Sequence, residues 1–146
     1  MSELDIFRNT TLRRQIEAEK ALHCGDAGPR IQMWSAQDPV TLFGADTPCR
    51  SGWDEVGPVF PWLASRFSDM SDYEFEFVAG GISGDLAYTV GFEHISMSLD
   101  GAPVAPIVIR VTHIYRRENG EWKIVHRHGD YPPTDKAPPT EAAAAQ

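Results

Sequence analysis

Between residues 85 and 130 the chain is dominated by long β-rich runs, broken by two turn signals, Asp100-Gly101 and Asn119-Gly120. An Asn-Gly or Asp-Gly pair between such runs favours a tight hairpin, because a type I′ turn needs positive φ at both central residues. The spacing predicts strands over 85–99, 104–117 and 122–130, an antiparallel meander. Upstream, YEFEFVA (73–79) alternates aromatic and acidic residues with the period of a half-buried strand, Tyr73, Phe75 and Phe77 inward.

The first half has helical rather than alternating spacing. Leu12, Ile16 and Leu22 with Ala18 and Ala21 form an apolar stripe that predicts an opening helix within 1–25, capped near Thr10 or Thr11 and ended by Gly25. Asp26 is placed to cap a second short helix with Pro29 in its first turn, where a missing N–H costs little. Val40-Thr41-Leu42-Phe43 predicts a short strand. Ser51-Gly52-Trp53-Asp54 has the spacing of a capping box before a third helical stretch, roughly 53–68, best formed from Pro58 or Pro61 to Phe67. Helices with one short strand, then long antiparallel strands, give an α+β fold: a curved antiparallel sheet with the N-terminal helices on its concave face.

Composition narrows the reading. A chain of 146 residues with 42% hydrophobic content can build one domain with a substantial core. We expect it to span 1–130, followed by a Pro- and Ala-rich disordered tail, 131–146. The net charge of −8 argues against nucleic acid and anionic membrane surfaces as partners. No apolar run approaches a membrane span, and the N-terminus lacks the pattern of a signal peptide. Two cysteines, Cys24 and Cys49, are read as reduced thiols, which with the preceding points suggests a cytoplasmic protein. Gly80, Gly81 and Gly84 form no dinucleotide-binding fingerprint, and no cofactor is expected.

Several segments carry a resemblance: Cys24-Gly25-Asp26, Trp34 followed by VTLFG (40–44), RSGWDEV (50–56), GDLAYTVGFEH (84–94) and RVTHIYRRENGEWKIVHRHGD (110–130). Together they resemble SnoaL-like members of the nuclear-transport-factor-2-like superfamily. The resemblance implies a cone-shaped α+β domain with an internal pocket. The final hairpin is also similar to the association domain of calcium/calmodulin-dependent kinases, a non-catalytic assembly module of that superfamily. The superfamily hosts isomerases, cyclases, hydrolases and binders, so it does not fix the chemistry. Ketosteroid isomerase chemistry requires a carboxylate base, a Tyr donor and an Asp donor. By resemblance those positions fall at Phe43, Ala18 and near Thr112, and all three groups are missing.

With a type I′ turn at Asn119-Gly120, Tyr115 pairs with Ile124, His113 with His126 and Thr112 with Arg127. By resemblance to the kinase domain the Thr112 face lines the pocket, and Arg110 and Arg127 lie on it. Tyr88, Val90, Phe92 and His94 join them from the preceding strand, with Trp34, Phe43, Trp53 and Trp62 closing the other side. Such an aromatic cavity with a few polar groups is the usual make-up of a small-molecule site, and the two arginines suit an anionic substrate. Tyr88 and His94 are the candidate proton-transfer groups. On the opposite face, His113, His126 and His128 with Glu93 have ligand types suited to zinc. Beside Trp122, Tyr115 and Ile124, however, they read better as a homodimer interface, and no metal site is assigned. The sequence thus predicts a small-molecule-binding protein forming a homodimer through its outer sheet face. Its chemistry would be that of a cofactor-independent isomerase, cyclase or hydrolase. The alternative is a non-catalytic assembly or sensing module.

Overall fold

A computed structural model describes residues 1–133. The tail expectation for 134–146 lies outside the described residues. The chain opens with α1 (Glu3–Phe7), a π-helical turn (Arg8–Leu12) and α2 (Arg13–His23) in one continuous run. Ser2 and Asp5 close a reciprocal capping box: the Asp5 N–H donates to Ser2 Oγ at 3.0 Å and the Ser2 N–H to Asp5 Oδ2 at 3.1 Å. The cap therefore lies eight residues before Thr10, whose hydroxyl instead donates to the Ile6 carbonyl. The π turn lets Phe7 and Leu12, five residues apart, both bury in the core.

After Gly25, α3 (Gly28–Met33) follows, with the Gly28 N–H held by Asp26 Oδ1. Then come β1 (Thr41–Phe43), β2 (Arg50–Ser51), α4 (Trp53–Val56) and α5 (Val59–Arg66). The N–H of Trp53 is capped by the Oδ1 of Asp38, across the chain, rather than by Ser51. The long strands are β3 (Phe67–Ser83), β4 (Leu86–Leu99), β5 (Ala105–Glu118) and β6 (Glu121–Asp130). Asp100, Gly101, Asn119 and Gly120 all have positive φ, as both turns require.

The α+β architecture is as expected, an unclosed six-stranded sheet in the order β2-β1-β6-β5-β4-β3. It is antiparallel except where β1 runs parallel to β6 at one edge. The helices cover the concave face. One apolar group there gathers Phe7, Leu12, Trp34, Leu42, Phe60, Tyr115 and Ile124, and a second gathers Leu22, Phe67, Tyr73, Ile95, Ile109 and Val111. The seam between them is polar: on β5, His113 sits between Val111 and Tyr115.

The hairpin register corrects the sequence reading. From the turn to Tyr115–Ile124 the pairing is as expected, but Ile114 then pairs with His126, leaving Val125 as a β-bulge. Beyond it His113 faces Arg127, Thr112 faces His128 and Val111 faces Gly129. One extra residue reverses which side chains of β6 point inward.

Candidate functional site

The concave interior takes its polar groups from six elements. Along α2, Gln15, Glu19 and His23 recur at intervals of four and are all buried. From α3 comes Arg30, from β4 Glu93 and Thr89, from β5 His113 and Tyr115, and from β6 Arg127, all buried too. Tyr73 of β3 completes the set. Charges so far from water persist only when paired and hydrogen-bonded, and each here has its partner. Arg30 grips the Glu19 carboxylate with both Nε and Nη2. Arg127 Nη2 donates to Glu93 Oε1 at 2.6 Å, and the Tyr73 hydroxyl donates to Glu93 Oε2 at 2.6 Å. Gln15 Nε2 donates to Glu19 Oε1 at 3.1 Å. Two arginines thus balance two glutamates.

Electrostatics follow from this pairing. Burial alone would push the Glu19 carboxyl up, but Arg30 and Arg127 outweigh it and hold it down at about 2. Glu93 is likewise lowered, its burial outweighed by Arg127. Burial pushes the Tyr73 phenol well up, with the adjacent Glu93 charge adding to it, so it remains a donor. His113 is driven well below its ordinary value by burial and then by the Arg127 cation. Its Nε2 therefore accepts from Arg127 Nη1 at 3.3 Å. His23 is lowered chiefly by burial, against the opposing pull of Glu93 and Glu19.

This network borders a cavity of about 40 Å³. His23, Arg30 and Arg127 line it together with Leu22, Leu42, Leu63, Phe67 and Ile109, and residues 44–47 between β1 and β2 form part of its wall. The volume suits a few non-hydrogen atoms, a carboxylate or carbonyl end rather than a large ring system. Next to it the Tyr131 hydroxyl donates to both carboxylate oxygens of Asp46 at 2.9 Å, tying the chain after β6 to this loop.

The residues expected in the pocket divide between the two faces. Trp34 and Arg127 are interior, and Arg127 lines the cavity. Trp53 packs against the core from α4. Tyr88, Phe92, His94, Arg110 and Thr112 all lie on the outer face, contrary to expectation. Tyr88 is 47% exposed, His94 pairs with Glu76 and Arg110 with Asp130. Phe43 is 41% exposed and sets its ring edge-on to His126 and His128. The supposed histidine cluster is split: His113 is interior, while His126 and His128 are on the outer side. Among the described residues no group of three or more His, Cys, Asp or Glu is placed to hold a metal ion. Both cysteines are free thiols, and no described helix is long and apolar enough to cross a membrane.

Glu19, Arg30, Glu93 and His23 were missed as site residues. The helix carried one signal: Gln15, Glu19 and Leu22 continue the stripe begun by Leu12, so a carboxylate falls on the buried face. Nothing local marks Glu93 as inward, because β4 mixes apolar and polar residues on both faces.

Fold and interior together define a cone-shaped α+β domain with a small, charge-lined cavity. The family model described as a SnoaL-like domain matches residues 18–133, and the chain belongs to that family. A candidate dehydratase of the NTF2-like family from Streptomyces avermitilis superposes with a TM-score of 0.75 at 19% identity, covering 89% of this chain and 99% of that one. A ketosteroid isomerase-like protein from Erwinia carotovora atroseptica gives 0.68 at 20% identity, covering 88% and 98%. A candidate calcium/calmodulin-dependent protein kinase type II association domain from Thiobacillus denitrificans gives 0.69 at 17% identity, covering 82% and 93%. At such identities the likeness concerns the fold. No curated protein matches the chain.

Proposed function

We propose that the protein binds a small organic acid end-first in the cone and turns it over by cofactor-independent proton transfer. The observation that carries this reading is the set of His23, Arg30 and Arg127 on one small cavity. Guanidinium groups supply planar donors for a carboxylate or a developing oxyanion. Glu19 and Glu93 hold those donors in place from behind. A purely structural core would reach the same packing with apolar side chains at no electrostatic cost. The remainder of the ligand would extend past the 44–47 loop, outside the enclosed volume.

The test is a titration with acetate, pyruvate and benzoate, followed by melting temperature and by the Nε–H signals of Arg30 and Arg127. Saturable shifts of both arginines are expected for at least one acid. If none of the acids moves either arginine, the cone is not an acid site.

A second reading concerns assembly and has its own observation. Leu86, Tyr88 and Ile114 are exposed on the outer sheet side and line a shallow cleft with Gly81 and Ile82. A contiguous apolar patch of this kind marks an interaction surface. We place a second copy of the chain there, a homodimer through the outer face, built from different residues than the sequence suggested. Sedimentation should report a dimer that Ile114→Glu converts to monomer. A monomeric wild type would remove this reading and leave the cavity untouched.

A further inference from the structure

We infer that His23 is the proton acceptor of the cavity, a neutral imidazole locked with its base nitrogen, Nε2, available to the ligand. This rests on the proposed acid site and names the group that would do its chemistry. Three observations carry it. First, His23 Nδ1 lies 2.7 Å from the backbone carbonyl oxygen of Glu19, one helical turn back. A carbonyl only accepts, so Nδ1 must carry the proton, and in the neutral ring the lone pair then sits on Nε2. Second, the ring cannot turn away. It stacks on Phe67 with centroids 4.7 Å apart and planes 10° from parallel, and Tyr73 lies 5.7 Å off. Third, His23 lines the cavity, and its Nε2 makes no hydrogen bond among the described residues. By contrast, His113 spends its accepting nitrogen on Arg127, and His126 Nδ1 is bonded to Thr41 on the outer side.

The groups facing His23 suit a base that must gain and then lose a charge. Glu19 on its own helix and Glu93 on β4 favour the imidazolium, while Arg30 on α3 opposes it. Tyr73 on β3 stays neutral. At neutral pH the ring is unprotonated and competent. Taking a proton would place its new charge beside two carboxylates.

The step balances without a co-reactant. A C–H bond next to a substrate carbonyl breaks, and its electron pair moves into the enolate, whose oxygen meets a guanidinium. The proton goes to Nε2. Its return to a different carbon completes an isomerisation; its return to a departing hydroxyl completes a dehydration with release of water. The substrate class is therefore a small carbonyl acid with an abstractable α-proton.

The test uses the full chain labelled with 15N and pyruvate as the probe. At pH 7 the His23 nitrogens should show the proton on Nδ1 and a bare Nε2. Pyruvate should raise the His23 titration midpoint. In D₂O the protein should speed deuterium exchange at the pyruvate methyl group, and His23→Gln should slow it about 100-fold or more, the usual range for a general base. A proton found on Nε2 overturns the inference. So does undiminished exchange in His23→Gln. It also fails if wild-type exchange matches buffer, or the His23 midpoint stays fixed, while Arg127 responds to pyruvate; the acid site then survives without this base. Silence from both arginines and His23 removes the site along with it. If His23→Gln does not fold, the wild-type tautomer and the wild-type-to-buffer rate ratio still decide.

Discussion

Replacing Glu93 by Gln isolates charge from shape. The side chain is fully buried, bonded at 2.6 Å to Arg127 and at 2.6 Å to Tyr73. Gln keeps the length and can keep both contacts, its oxygen toward Arg127 and its NH₂ toward the Tyr73 oxygen. What disappears is the anion. Two unit charges about 4 Å apart attract by about 4 kcal/mol at an effective dielectric of about 20. Removing one partner of a buried pair costs about 3–5 kcal/mol, because the other charge stays buried without compensation. For a chain of this size that lowers Tm by on the order of 10 °C. Arg127→Met should cost a similar amount, whereas the double variant should recover much of the loss. The assay is urea denaturation at pH 7.5 in a double-mutant cycle, with an expected coupling of at least about 2 kcal/mol. A Glu93→Gln penalty below about 1 kcal/mol with no coupling would refute the buried pairing and the electrostatic account of the cavity.

Three further outcomes are expected. Stability should fall on acidification in two stages, read from urea midpoints between pH 8 and pH 3. His23 and His113 are lowered in the folded state, so only the unfolded chain takes up their protons, and stability drops as pH falls below about 6.5. Glu19 and Glu93 are also lowered, so their contribution, complete above the ordinary carboxylate value, is lost as pH falls further toward about 2 for Glu19. Gly91→Ala should destabilise by about 1–3 kcal/mol or more in thermal melts. Its Cβ would sit 2.3 Å from the Glu76 carbonyl oxygen and 2.7 Å from the Phe75 ring. Tyr131→Phe should leave global stability within about 1 kcal/mol but raise amide exchange at Asp46 and Thr47 severalfold. It would also remove the tyrosine titration that burial and Asp46 push up to about 12.

The sequence showed the scaffold more clearly than the interior, for physical reasons. Turn chemistry is local: Asn119-Gly120 and Asp100-Gly101 need positive φ, and few other residue pairs supply it, so the three long strands could be bounded within a residue or two. Helix periodicity is likewise local, and α5 and α3 fell where their prolines and apolar residues put them. The cavity depends on facing, and facing depends on register. A hydrophobic alternation would have fixed the register, but β5 and β6 offer Val, Ile and Tyr on one face and Ile, Arg and Thr on the other. Both parities looked plausible, and nothing in Ile124-Val125-His126 announces that Val125 is left over. The capping residues show the opposite limitation. Ser2 with Asp5 was legible but lay ahead of the expected helix start, and Asp38 reaches Trp53 only through the tertiary fold.

The bulge at Val125 also governs how residue roles pass between relatives. Before it, even-numbered residues of β6 such as Trp122 and Ile124 face the helices; after it, odd-numbered ones such as Arg127 and Gly129 do. A relative whose strand lacks this extra residue would keep a single parity throughout. Aligned without a gap, its last inward side chains would be matched to His126 and His128, which lie outside. Comparison of the final strand across the family should therefore anchor on Gly129 and the arginine two residues before it, counting back from the strand's end. Counting forward from the hairpin turn would equate surface histidines with buried site residues.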